Sequence, residues 1–170
     1  YVTGYSGATW GSPVRGHSGD GDAFVVKLGG NGNLVWNTFL GSANSDGCYG
    51  IAVDGSGNIH VAGDSLSTWG TPVRAFSSSK DSFAARLDGS GNLSWNTFLG
   101  GGPGTHSGQA VTFDGSGGVY VTGVSSCTWG TPVRAYSGSD ELFAAKMDDG
   151  GPLLWNTFLR SGSGDGGYGI

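Results

Sequence analysis

Two columns of residues in this sequence have the types and spacing to recognise a ligand. Trp10, Trp69 and Trp129 each begin a Trp-Gly-(Ser/Thr)-Pro-Val-Arg stretch that closes on Arg15, Arg74 and Arg134. An aromatic ring on a loop can stack on a sugar or close the edge of a sheet below it, and an arginine on each loop can bind a carboxylate. These six residues are the candidate ligand-binding set, set against the simpler reading that large aromatics pack. Asp22, Asp81 and Glu141 form an acidic column. It fits either a repeated ion pair with the arginines, which adds about 0–1 kcal/mol if exposed, or an acid-to-backbone clamp. Lys27, Arg86 and Lys146 form a third charged column, read as a solvated strand position.

Other groups point less clearly to chemistry. Asp54, Ser56 and Asn58 imitate the start of a calcium-binding loop, but Ile59 and Ser65 stand where that loop needs a glycine and a bidentate glutamate. The Asp-Gly-Ser-Gly-Asn runs therefore read as hairpin turns, and no metal or other cofactor is expected. A Gly-x-Gly-x-x-Gly pattern at residues 162–167 precedes no helix and is a chance match in a chain with 36 glycines. Catalytic groups in a repeat protein should break the columns. The candidates are Asp46, Asp64, His60, His106 and Asp165, with no pair at a recognisable spacing. A protein that is not an enzyme is the expectation. Cys48 and Cys127 fall on the same side of neighbouring repeat units. A disulfide between them would suit an exported protein, and two free buried thiols fit equally.

The elements that carry these columns are repeated. Trp-Asn-Thr-Phe-Leu occurs at residues 36–40, 95–99 and 155–159, so the chain is three copies of a unit of 59 or 60 residues. The middle copy reads as two hairpins in series. An alternating run at residues 51–54 turns at 55–58 into a strand at 59–63, and a strand at 82–87 turns at 88–92 into a strand at 93–99. Four short strands in each unit is the content of one propeller blade. The predicted fold class is all-β: β-propeller blades made of three four-stranded antiparallel units, circularly offset. Blade 1 spans 1–45 and lacks its inner strand, blade 2 spans 46–104, blade 3 spans 105–164, and 165–170 is a spare inner strand. Strand direction predicts that the Trp-to-Arg loops and the glycine-rich segments share one variable face, as binding loops do.

Residues 166–170, Gly-Gly-Tyr-Gly-Ile, match Gly-Cys-Tyr-Gly-Ile at 47–51. Tyr1, Val2 and Thr3 at one end and Tyr168, Gly169 and Ile170 at the other are therefore the expected assembly strands. They would join chains head to tail or complete a longer propeller. Charged residues make up 12% of the chain and the net charge is −5, so no basic stripe exists for nucleic acid to follow. No apolar run of 18 or more residues could span a bilayer. Neither nucleic acid nor membrane insertion is expected, and the lack of a signal-peptide pattern says nothing about compartment.

The runs Asp-Ala-Phe-Val-Val-Lys-Leu at 22–28, Gly-Asn-Leu-Val-Trp-Asn-Thr-Phe-Leu-Gly at 32–41 and Gly-Ile-Ala-Val-Asp-Gly-Ser-Gly-Asn-Ile-His-Val-Ala-Gly at 50–63 resemble the bacterial SBBP β-propeller repeat family. The resemblance covers all three copies. It implies a propeller carried on exported or surface-attached bacterial proteins and no particular catalytic activity. The expected function is a non-enzymatic extracellular or cell-surface scaffold, adhesion or assembly module. The alternative is a multivalent glycan-binding propeller with one site per blade.

Overall fold

The computed structural model describes residues 1–77, 79–160 and 166–170. Among these residues the chain forms eleven strands and no helix. They run β1 (Val2–Ser6), β2 (Asp22–Leu28), β3 (Leu34–Leu40), β4 (Asp46–Val53), β5 (Ile59–Ser65), β6 (Asp81–Leu87), β7 (Leu93–Leu99), β8 (His106–Phe113), β9 (Val119–Ser125), β10 (Glu141–Met147) and β11 (Leu153–Leu159). Within each sheet, every strand pairs antiparallel with its neighbour in sequence. The result is three meanders, β1-β2-β3, β4-β5-β6-β7 and β8-β9-β10-β11, a propeller-like all-β fold.

The hairpin turns form as their residues dictate. In the turn after β6, Asp88 accepts hydrogen bonds from the backbone N–H groups of Ser90 and Asn92 and from the Asn92 amide, all at 2.9 Å. Gly91 supplies the positive φ of 87°. These bonds also hold the Asp88 carboxyl below its usual range.

The first strand of the middle unit begins at Asp46, the residue at which blade 2 is expected to begin, and extends the alternating run by five residues. Its early part is glycine-rich because β4 runs against β8: a Cβ on Gly50 would lie 2.8 Å from the Ala110 Cα. The Trp-to-Arg loops, moreover, do not project as a variable face. Each folds back along the outermost strand of its sheet, where the Val14, Val73 and Val133 amides donate to the carbonyls of Asn37, Asn96 and Asn156. The Phe39, Phe98 and Phe158 amides donate in turn to the carbonyls of Arg15, Arg74 and Arg134. The unpaired groups of an edge strand need partners, and the loops supply them.

The core lies within and between the sheets. Phe83, Phe98, Leu87 and Val61 fill one buried cluster and Phe143, Phe158, Met147 and Val121 another. Neighbouring sheets are stitched by short parallel bridges, Gly21 with Ser45 and Lys80 with Thr105. In both places the first residue of the following sheet donates its amide across the seam, Asp46 to Gly21 and His106 to Lys80.

Candidate functional site

The arginine and acidic columns clamp backbone and do not pair with each other. Arg15 donates to the carbonyls of Phe39 and Gly41, each at 2.8 Å. Arg74 repeats this on Phe98 and Gly100 at 2.8 and 2.6 Å, and Arg134 donates to Phe158 at 3.0 Å. The acids hold the other end of the loop: Asp22, Asp81 and Glu141 accept from the amides and hydroxyls of Ser18, Ser77 and Ser137. Of the two sequence readings of these columns, the acid-to-backbone clamp is the one the geometry matches.

The loop tryptophans take different environments. Trp69 and Trp129 are 4% and 3% exposed, whereas Trp10 is 37% exposed. Each buried indole meets two phenylalanines of its own sheet edge to face, Trp69 with Phe83 and Phe98, Trp129 with Phe143 and Phe158. The arginine of the preceding sheet then lies over the ring, Arg15 over Trp69 at 5.8 Å and Arg74 over Trp129 at 5.7 Å. A sugar has no open indole face at either position. Trp10 makes the same contacts with Phe24 and Phe39.

A second contact crosses the same seams on the hairpin side. The Trp36 indole donates to the Gly89 carbonyl at 3.2 Å and covers Gly91; the Trp95 indole donates to Asp149 at 2.8 Å and covers Gly151. A glycine is required in these turns because a Cβ would approach the indole to 2.9 Å at Gly91 and 3.1 Å at Gly151. Trp155, the third of the set, faces Tyr120 of its own sheet at 6.2 Å, as Trp36 faces Tyr1 at 6.0 Å. The corresponding turn glycine, Gly32, is exposed with nothing within 4 Å of where its Cβ would be.

The assembly residues lie at the free ends of this arrangement. β1 pairs with β2 on one side and has no strand on the other among the described residues. Val2 is 45% exposed, where its counterparts Val61 and Val121 are fully buried between neighbours. Residues 166–170 lie outside any strand. Gly167 nevertheless rests against Leu142 and Thr122, and the Thr122 hydroxyl reaches the Gly169 carbonyl at 3.5 Å. Cys48, the counterpart of Gly167, lies beside Thr3, whose hydroxyl donates to the Phe24 carbonyl at 2.7 Å. Tyr168 and Ile170 are exposed.

The column-breaking residues meet in two clusters. Asp64 accepts from Ser107 of the next sheet at 2.8 Å and pairs with Lys80 at 2.7 Å, which ties the second and third sheets together. Lys80 and Ser107 were not singled out from the sequence, and the signal for them is that they too break their columns. His106 occupies the place of Asp46. Asp46 accepts from the Ser42 amide at 2.7 Å and from Ser65; His106 Nε2 accepts from the Gly101 amide at 3.1 Å, with Nδ1 against Ser125 at 2.7 Å. Burial raises the Asp46 carboxyl above its usual range and lowers the His106 imidazole below its own.

Cys127 lies 3.8 Å from His106 Nε2, but its thiol donates to the Gly101 carbonyl at 2.9 Å. Both partners of a Cys-His pair are thus engaged with backbone. Cys127 and Cys48 are free thiols, which replaces the disulfide reading: Cys48 is buried against the Gly50 and Ala62 carbonyls, and burial pushes it up to about 12.

On the hairpin side a cleft of about 600 Å³ opens between the second and third sheets, lined by Asp54, Asn58, His60, Arg86, Phe113 and Asp149 among others. His60 stacks on Phe113 and approaches Asp54 at 3.4 Å, while Arg86 pairs with Asp149 at 2.8 Å. The column of Lys27, Arg86 and Lys146 is therefore not simply solvated: Lys146 pairs with Asp114 and lies over Tyr120, and Lys27 lies over Tyr1. Asp165 and most of the 162–167 glycine pattern lie outside the described residues.

Meandering sheets joined face to face by a repeated set of contacts define a propeller-like repeat protein. Residues 28–68, from the end of β2 to the loop after β5, match the model of the SBBP beta-propeller repeat family. No curated protein matches the chain.

Proposed function

We propose that this chain is an array of propeller blades, circularly offset, that works as a non-enzymatic scaffold or adhesion module on the outside of a bacterial cell. Its end strands complete a blade of a neighbouring chain or of a longer propeller. The observation that carries the reading is the open edge of β1, together with residues 166–170, which have the sequence of the strand that edge lacks and lie on the third sheet where β4 begins on the first. The residues that could have served chemistry support it as well, since the Arg, Asp/Glu and buried Trp columns hold loops and seams. The resemblance to SBBP repeats supports the location outside the cell. A lectin with one site per blade is less well supported, because Trp10 alone of the loop tryptophans presents an open ring.

The test is hydrogen exchange at the β1 amides that face the open edge, with and without a synthetic peptide of residues 46–53. Protection matching that of β5, present already or gained on adding the peptide, is the expected result. Fast exchange under both conditions would defeat the reading, because a first strand would then have no affinity for that edge.

A further inference from the structure

The cleft between the second and third sheets lies at an internal seam and gathers residues that break the repeat. His60 stands where the other two units have Tyr1 and Tyr120, Phe113 where the second unit has Val53, and Asp149 where the second unit has Gly89. Arg86 shares its column with Lys27 and Lys146. A packing role repeats with the unit, so departures that meet in one cleft point to something besides packing.

Two buried polar atoms here have no hydrogen-bond partner among the described residues, His60 Nδ1 and Arg86 Nε. His60 is 2% exposed, and the two residues stand opposite each other on β5 and β6. Burial lowers the imidazole, which is therefore neutral at pH 7. Its Nε2 faces the Asp54 carboxylate at 3.4 Å, so the proton sits on Nε2 and Nδ1 is an acceptor. Arg86 Nε–H is a donor. An unmet acceptor and an unmet donor thus line one cleft, each costing about 1–3 kcal/mol while unpaired.

A hydroxyl satisfies both kinds of atom, since it donates and accepts. A carboxylate has no proton for Nδ1, and an ammonium has no lone pair for Nε. Two carboxylates, Asp54 and Asp149, against the one guanidinium of Arg86 also disfavour an anion. Half-buried Phe113 adds an apolar wall for C–H groups, and the volume of about 600 Å³ is that of a small-molecule site. We propose that this cleft binds a mono- or disaccharide whose hydroxyls donate to His60 Nδ1 and accept from Arg86 Nε. The site is single and lies at one seam. It therefore differs from a lectin with a site on every blade, and it does not depend on what pairs with β1.

The test follows the amide resonances of the full chain by NMR during titration with glucose, galactose and N-acetylglucosamine, and with the disaccharides cellobiose and chitobiose. Saturable shifts centred on residues 54–58 and 113–117 are expected with at least one sugar, at a dissociation constant on the order of 1 mM. A disaccharide that binds more tightly than its monosaccharide identifies a glycan chain as the source, and the reverse order identifies a free sugar; both support the site. Acetate should give no saturable shift. Arg86→Lys, which installs the residue of its own column and keeps the charge while removing the Nε donor, should weaken binding about ten-fold. Phe113→Val, again the residue of its column, should weaken it by a similar factor. No saturable shift with any of these sugars would overturn the proposal, as would shifts centred on Trp10 instead of the cleft. Acetate binding as well as the sugars would overturn the hydroxyl chemistry, and unchanged affinity in both variants would overturn the assignment of the contacts.

Discussion

Burial makes the two seam histidines weak points in acid. His60 and His106 are both lowered from the ordinary imidazole value of 6.5, in each case chiefly by desolvation. Asp54, Arg86 and Asp149 surround the first, Asp81 and Arg74 the second. The unfolded chain binds a proton at each site below 6.5 and the folded chain does not, so their contribution to stability is full above 6.5. It is lost as the pH falls toward the lowered folded values, at up to about 1.4 kcal/mol per pH unit for each group. The melting temperature should fall from pH 7 to pH 5, and His106→Asn, which keeps an acceptor for the Gly101 amide, should make that fall shallower. An unchanged slope would show that His106 carries no such penalty. At the same scale, Trp69→Ala should cost about 3–5 kcal/mol in denaturant unfolding, as deletion of a buried aromatic does, and Trp10→Ala clearly less. Equal losses would mean that the arginine of the preceding sheet adds nothing to tryptophan burial.

Strands and turns were legible in the sequence wherever local chemistry decides them. The alternation around Trp-Asn-Thr-Phe-Leu and the Asp-Gly-Ser-Gly-Asn turns predict β6 and β7 to within a residue. The start of β4 was legible only through the repeat, in the match of 47–51 with 166–170, because a strand that must pass close to β8 is built of residues whose composition reads as loop. The edge-covering course of the Trp-to-Arg loops was missed because the hydrogen bonds that fix it join residues far apart. A signal was there in the constant interval of 27 residues between each loop tryptophan and the asparagine that holds its carbonyl, Asn37 on Trp10, Asn96 on Trp69 and Asn156 on Trp129. The cost of filling the close approaches is testable at Gly63, where a Cβ would fall 1.9 Å from the Gly47 carbonyl oxygen. Gly63→Ala should destabilise by about 1–3 kcal/mol or more, whereas Gly55→Ala, with open space around it, should leave the unfolding midpoint nearly unchanged. Similar midpoints for the two variants would show that β4 and β5 tolerate separation at that position.

At the scale of the whole molecule, the repeat spreads its chemistry over the two seams between its sheets. Stability in such an array is shared between units and the contacts that join them, so completing an end should stabilise the sheet behind it. The candidate site was only partly legible, because the matching of 166–170 with 47–51 can be read from the sequence, while the exposed Trp10 and Arg134 differ from their counterparts only through what covers them. The most direct measurement is the melting temperature of the chain with and without the peptide of residues 46–53. The account predicts a higher melting temperature with the peptide, because it binds the folded β1 edge and not the unfolded chain. The same melting temperature at saturating peptide would contradict it.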